Sequence, residues 1–237
     1  MILELILYPL FLVSIVFALY AQFKVSSTYK KYSTFYTRAG RNATDIARMI
    51  LSNAGIYDVA IGRVRGNLTD HYDPRSNTLA LSDTTYASTS AAAIGVAAHE
   101  AGHAVQHAVG YLPIKLRMKL VPVTNFASKF ALVFIFLGSI LTAISYSTSK
   151  GYLVLMLGIA LFSVTTLFQL VTLPCEFNAS RRAMSALRKS GYYSNDELYA
   201  ARQVLTAAAL TYVAATFASV IQLLRLIFIF GSRNDRR

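Results

Sequence analysis

Three histidines and a glutamate lie close together in this chain: His99, Glu100, His103 and His107. The run Ala97-Ala-His99-Glu100-Ala-Gly-His103 has the pattern H-E-x-x-H. Residues four apart on a helix sit one turn apart on the same face. Two imidazoles so placed can bind one tetrahedral zinc. Glu100, beside the first of them, can reach a zinc-bound water, take its proton and pass it to a leaving amine. Zinc lowers the pKa of that water towards about 7, which makes hydroxide available at neutral pH. Ala97, Ala98, Ala101 and Gly102 are small and let other backbone approach the metal. The competing reading is two histidines on a buried helix with a surface glutamate between them.

A catalytic zinc needs a third protein ligand. The metzincin continuation would place Gly at 106 and His at 109, but Gln106 and Val109 stand there. His107 is two turns from His99, too far along the axis for the same tetrahedron, so it reads as a supporting or packing residue. Glu176 is the better ligand. It sits just past an apolar stretch, after Leu173-Pro-Cys, and Ala179 and Ala183 give its helix a smooth face towards the motif helix. The alternative is a carboxylate that caps that helix.

The elements that must position these residues are set by a greasy composition. Of 237 residues, 55% are hydrophobic and 14% charged, against about 25% charged in soluble domains. Mean hydropathy is +0.46. A disordered tail, a collagen-like chain and a polar repeat array are excluded. The lone Cys175 excludes an internal disulfide framework and reads as a small buried hydrophobe. On so apolar a chain the net charge of +12 belongs to the flanks of membrane spans, not to nucleic-acid binding.

Four apolar stretches are long enough to cross a bilayer core of about 30 Å: Ile2 to Phe23, about Asn125 to Tyr146, Tyr152 to Leu173, and about Leu205 to Phe230. The first has no basic n-region and no A-x-A site, so it reads as an uncleaved anchor, not a signal peptide. The second and third are joined only by Ser147 to Gly151 and form a hairpin. Basic residues crowd the segments 24–120 and 175–204, while Lys150 alone marks the hairpin tip. Both crowded segments are therefore expected in the cytoplasm. The three arginines of Arg233 to Arg237 would then lie outside, against that rule. Arg225 within the last span can snorkel to an interface; the alternative is a helix that ends before the far side.

Between the first two spans the spacing predicts a helix over about 33–53, ended by Asn53-Ala-Gly55, and a short apolar run at Val59 to Val64. A turn at Asp73 to Asn77 and the alternating Thr78 to Ser82 predict a small hairpin or sheet. A helix from near Ser88 to Val109 then carries the motif, closed by Gly110.

Three stretches together, Ala97 to Gln106, Tyr72-Asp-Pro-Arg with Leu79 to Ser82, and Leu173-Pro-Cys-Glu-Phe-Asn-Ala-Ser-Arg-Arg-Ala183, resemble the YugP-type membrane zinc metallopeptidases. That bacterial family is distantly related to HtpX-type and CAAX-prenyl proteases. The resemblance covers nearly the whole chain. It implies a gluzincin site with zinc on His99, His103 and Glu176 and with Glu100 as base. It implies also that Leu79, Ala80, Leu81 and Ser82 form the edge strand that pairs with an extended substrate. Two positions depart from the pattern: Asn178 stands where an aspartate is expected, and Ser180 where the HtpX-type pattern has an acid. Either can accept a hydrogen bond from a ligand imidazole without charge. Candidates to stabilise the oxyanion are Arg182, which matches the family's Arg-Ala pair, and Tyr192, Tyr193 and His71.

The sequence therefore leads to a mainly α, polytopic membrane protein with about four transmembrane helices and a zincin-like cytoplasmic core containing a small β element. Its segments are an anchor (1–23), the zincin-like segment (24–123), the transmembrane hairpin (124–174), the glutamate-ligand helix (175–204) and the fourth span with its tail (205–237). The expected activity is that of a zinc endopeptidase on polypeptides, membrane or misfolded proteins in particular, at the cytoplasmic face of a bacterial membrane. The lipid bilayer is its surrounding and no nucleic-acid partner is expected; partner proteins are not identified. A site-2-type intramembrane protease would need an aspartate ligand in a later span, and the apolar stretches hold none. The remaining alternative is a non-catalytic membrane scaffold with a structural zinc.

Overall fold

The computed structural model describes residues 2–144 and 148–231, so part of the expected Ser147 to Gly151 link and the Arg233 to Arg237 tail lie outside the described residues. In chain order the elements are α1 (Ile2–Ser33), α2 (Ala43–Asn53), β1 (Ala60–Val64), β2 (His71–Asp73), β3 (Thr78–Ser82), α3 (Ala91–Ala108), α4 (Leu112–Ile144), α5 (Thr148–Lys189) and α6 (Asn195–Gly231). The protein is mainly helical, and α1, α4, α5 and α6 are long and apolar enough to cross a membrane. All four outrun the apolar stretches that announce them. Pro122 and Pro174 lie inside α4 and α5 without ending them. The chain divides into two compact units, and each long helix contributes residues to both.

The first unit comprises residues 1–19, 116–173 and 212–237. Many of its large apolar side chains, such as Val16, Leu132, Phe136 and Leu153, are exposed, as suits helices solvated by lipid. Its helices touch where side chains are smallest. A Cβ on Gly158 would lie 2.6 Å from the Ile135 backbone nitrogen, and one on Gly138 would collide with the Leu155 backbone. Close backbone approach through small residues is how membrane helices pack without a hydrophobic driving force between them. Arg225 stacks its guanidinium 4.7 Å from the Tyr8 ring centroid and 4.6 Å from that of Phe11.

The second unit comprises residues 20–115 and 174–211. Its core joins Ile46, Ile50 and Leu51 of α2, Leu79 and Leu81 of β3, Ile94, Ala97, Ala98 and Ala101 of α3, Ala183 and Leu187 of α5, and Leu205 of α6. The helix expected over about 33–53 is shorter than its apolar spacing suggested. Asn42 and Asp45 form a reciprocal capping box, which fixes the start of α2 at Ala43. Residues 34–42 stay irregular because their backbone is engaged elsewhere: Thr37 N–H donates to the Thr89 carbonyl at 2.9 Å, and Tyr36 bridges to Ser90. Ser90 in turn caps α3, accepting from the Ala93 amide. Gly110, at φ +67°, takes the left-handed conformation that follows a helix end.

The sheet order is β1-β3-β2. β1 runs parallel to β3, pairing Ala60 with Thr78 through Val64 with Ser82; β2 runs antiparallel, pairing His71 with Ala80 and Asp73 with Thr78. This corrects one expectation. Leu79, Ala80, Leu81 and Ser82 are not an edge strand but the middle one, and all four are buried. Their alternation is right for a strand, but it does not say how many neighbours the strand has. Asp70 completes the pairing beyond the end of β2, accepting from the Ser82 amide at 2.7 Å and from its hydroxyl at 2.8 Å.

α3 and α5 meet at Gly102, where an added Cβ would sit 2.8 Å from the Ala179 carbonyl oxygen. Backbone cannot yield there, so Gly102→Ala should destabilise the protein by about 1–3 kcal/mol. Thermal melting in detergent checks this. Gly95→Ala, whose Cβ would find Ala201 at 3.4 Å, should melt near the parent temperature.

Candidate metal centre

The close crossing of α3 and α5 delivers the side chains that the sequence singles out. His99 and His103 lie one turn apart on α3, with ring centroids 4.7 Å apart and planes at 87°. Glu176 is fully buried on α5, two residues past Pro174. Its Oε2 lies 3.1 Å from His99 Nε2 and 3.5 Å from His103 Nε2. The ligand atoms of the three residues all fall within 4.8 Å of one another. Two ligands held about 2.1 Å from a tetrahedral zinc stand roughly 3.4 Å apart, so the spacing of this triad fits that ion.

The outer nitrogens of both imidazoles are held as well. His99 Nδ1 meets Ser180 Oγ at 3.1 Å. His103 Nδ1 meets Gln106 Oε1 at 3.0 Å. Gln106 is wholly buried, and its amide orientation follows from its other partners. Its Nε2 donates to the Cys175 carbonyl at 2.8 Å and to Asn178 Oδ1 at 3.0 Å. Both acceptors demand the NH₂ end, so the oxygen faces His103 and takes a proton from Nδ1. That tautomer leaves the His103 Nε2 lone pair towards Glu176, as a metal ligand requires. Asn178 is fixed in turn by Arg182, whose Nε donates to Oδ1 at 2.8 Å.

This chain of bonds refines the sequence-level picture. Ser180 does meet a ligand imidazole, that of His99, as its position allowed. Asn178 acts one step removed, through Gln106. Gln106 itself escaped notice as a functional residue, although it lies three residues after His103 and so on the same helical face. Arg182, expected near the oxyanion, stands at the far end of the Asn178–Gln106–His103 chain. Replacing Gln106 by Leu leaves His103 Nδ1 without an acceptor. Zinc affinity should drop about 10–100-fold, measured by competition with a chromophoric chelator, with the fold retained.

The remaining candidates are dispersed. His107 Nδ1 lies 3.1 Å from the Tyr72 hydroxyl, which also donates to Asn77; it braces β2 against α3. His71 is exposed and bonds the Thr69 carbonyl. Tyr192 lies under Arg41, and Tyr193 packs against the core of the second unit. Cys175 is buried.

Glu100 is next to the first imidazole and only partly exposed. The protein packed around its carboxyl pushes it up to about 6, and the charges of Glu176 and Asp70 act in the same direction. His99 and the Tyr72 backbone amide pull the other way. A carboxyl near neutrality can both accept and return a proton under physiological conditions.

Comparison with known proteins agrees with this chemistry. Residues 7–231 match the family described as "Putative neutral zinc metallopeptidase". The chain is 47% identical over 217 residues to "Putative membrane protease YugP" of Bacillus subtilis (strain 168), covering 91% of this chain and 92% of that protein. No solved structure matches it. The match extends through both ligand-bearing helices and all four apolar ones, and on that ground the chain belongs to the YugP-type family of zinc metallopeptidases.

Proposed function

We propose that the protein is a membrane-anchored zinc endopeptidase whose site faces the cytoplasm of a bacterial cell. The observation that carries this reading is the convergence of His99, His103 and Glu176 on one point with Glu100 beside it. His99, His103 and Glu176 would hold the ion. When bound there, zinc supplies Lewis acidity to polarise a scissile carbonyl and to acidify water. Glu100 takes the proton from the attacking water and returns it to the departing amine. The Gln106 and Ser180 oxygens keep both imidazoles in the metal-binding tautomer. Arg182 acts as a positioning residue, through Asn178 and Gln106.

The substrate strand belongs at β2, not at β3. β3 is paired on both sides, whereas β1 and β2 are the outer strands among the described residues, and β2 is the one beside the base. The Tyr72 backbone amide on β2 reaches the Glu100 carboxylate. A peptide laid along that edge in extended form would pass the base and the histidine pair, gaining affinity from main-chain hydrogen bonds with little demand on sequence. Such an edge suits segments of unfolded or membrane proteins.

The test is hydrolysis of an unfolded, fluorescence-quenched protein by the detergent-purified chain. Activity should vanish on removal of the metal by a chelator and return with about one equivalent of zinc. Cleavage that survives complete metal removal, or a zinc-loaded chain that cleaves no unfolded substrate, would overturn the reading in favour of a scaffold with a structural zinc.

A further inference from the structure

The second unit carries a cavity of about 550 Å³ that Ser180, the partner of His99 Nδ1, lines on one side and that otherwise shares no residue with the zinc chemistry above. It lies between α5, from Phe177 to the helix end at Lys189, and α6, from Arg202 to Ala209. Phe177, Met184, Leu205 and Ala209 supply apolar wall, and Arg181, Arg188, Lys189 and Arg202 supply four cations. No carboxylate lines it. None of the four cations is in ion-pair range of an acid among the described residues, and all four are exposed.

The wall is polarised along its length, with three of its four cations at one end and Arg181 nearer the other. Phe177 on α5 and Ala209 on α6 are the lining residues nearest in sequence to the apolar stretches of their helices. Arg188, Lys189 and Arg202 are the farthest. At about 1.5 Å per residue, Phe177 and Arg188 are roughly 16 Å apart along α5. That leaves an apolar end nearer in sequence to the apolar stretches and a cationic end farther from them. Ordinary flanking charges would need no cavity; a basic pocket between membrane helices is the form that anionic headgroup sites take.

We propose that this cavity is a binding site for an anionic phospholipid of the surrounding bilayer. The acyl chains rest against Phe177, Leu205 and Ala209, and the phosphate meets Arg181, Arg188, Lys189 and Arg202. An inorganic phosphate would use only the cationic end and leave the apolar end unexplained. An acidic peptide would likewise leave the apolar end unexplained.

The test uses the full-length chain in neutral detergent, titrated with phosphatidylglycerol or with phosphatidylcholine of the same acyl chains, with bound lipids counted by native mass spectrometry. The parent chain should prefer phosphatidylglycerol at least tenfold. The double variants Arg188→Gln/Lys189→Gln and Arg181→Gln/Arg202→Gln should each reduce that preference about tenfold. Lys30→Gln/Lys31→Gln, which removes two basic residues outside the cavity, should not. Thr206→Trp keeps every cation and fills the cavity from an exposed lining position; it should also release the lipid, and its melting temperature reports on folding separately. Equal loss in the Lys30/Lys31 variant would mean diffuse surface charge and would overturn the proposal. Displacement of the lipid by millimolar inorganic phosphate would assign the site to a free anion. Unchanged lipid binding in both cavity doubles, with selective loss of cleavage of an acidic peptide, would assign it to substrate. Either result refutes the lipid site.

Discussion

Glu100→Gln should lower peptide hydrolysis at least about a thousandfold while leaving one zinc per chain. The magnitude comes from the usual range for a positioned proton-transfer group, about 10²–10⁴-fold. The upper part is expected because no second carboxylate is free to substitute. Glu176 is engaged with both imidazoles, and Asp70 is tied to Ser82. The Gln side chain has nearly the same shape, so α3 and its neighbours need not repack. It lacks the negative oxygen that accepts the proton. Parallel measurement of turnover and metal content gives the answer. Loss of zinc together with activity would show Glu100 to be a ligand or a structural support, and retained turnover would remove it from the mechanism.

Glu176→Gln should have the opposite signature, losing the metal first. Its carboxylate is the only anion among the three converging groups, and it is buried to 1% exposure. Without it, a divalent cation would rest on two neutral imidazoles in a site that little water can reach, where uncompensated charge is costly. Loss of a group that merely orients a ligand costs about 10–100-fold in affinity, so loss of a ligand should exceed about 100-fold. Metal analysis after dialysis against a weak chelator measures it, and the isosteric Gln keeps the volume of this buried side chain out of the comparison. If Glu176→Gln still bound one zinc tightly, the third ligand would be another residue and the α3–α5 crossing would have a different purpose. Together the two variants separate binding from chemistry: one keeps the metal without turnover, the other cannot keep the metal.

Much of this protein is written in local pattern. The i, i+4 spacing of His99 and His103 fixes their shared face wherever the helix lies, because helical periodicity is a property of the chain itself. Each of the four apolar helices is legible for the same reason, since hydrophobic length is a local quantity. So are the motif helix, expected from near Ser88 and found from Ala91, and the strand at Thr78 to Ser82. Glu176 was within reach because a smooth Ala179/Ala183 face beside a carboxylate advertises a close helix crossing.

What only the tertiary structure decided depends on partners far apart in sequence. Thr78 to Ser82 alternates in the same way whether one strand or two lie beside it, so the middle position of β3 and the free edge at β2 had to come from the pairing itself. The capping box at Asn42 ended an apolar periodicity that would otherwise have run from about residue 33. Gln106 faces His103 through its oxygen only because Cys175 and Asn178, some seventy residues later, claim its nitrogen. Arg182 joins that chain for the same reason. The basic cavity exists because α5 and α6 pack so that Arg202 comes to line the same space as Arg181, Arg188 and Lys189, which in sequence are only flanking charges. Periodicity and composition are carried by neighbours along the chain, whereas strand order, amide orientation and cavities are created by contacts between segments that only the folded protein brings together.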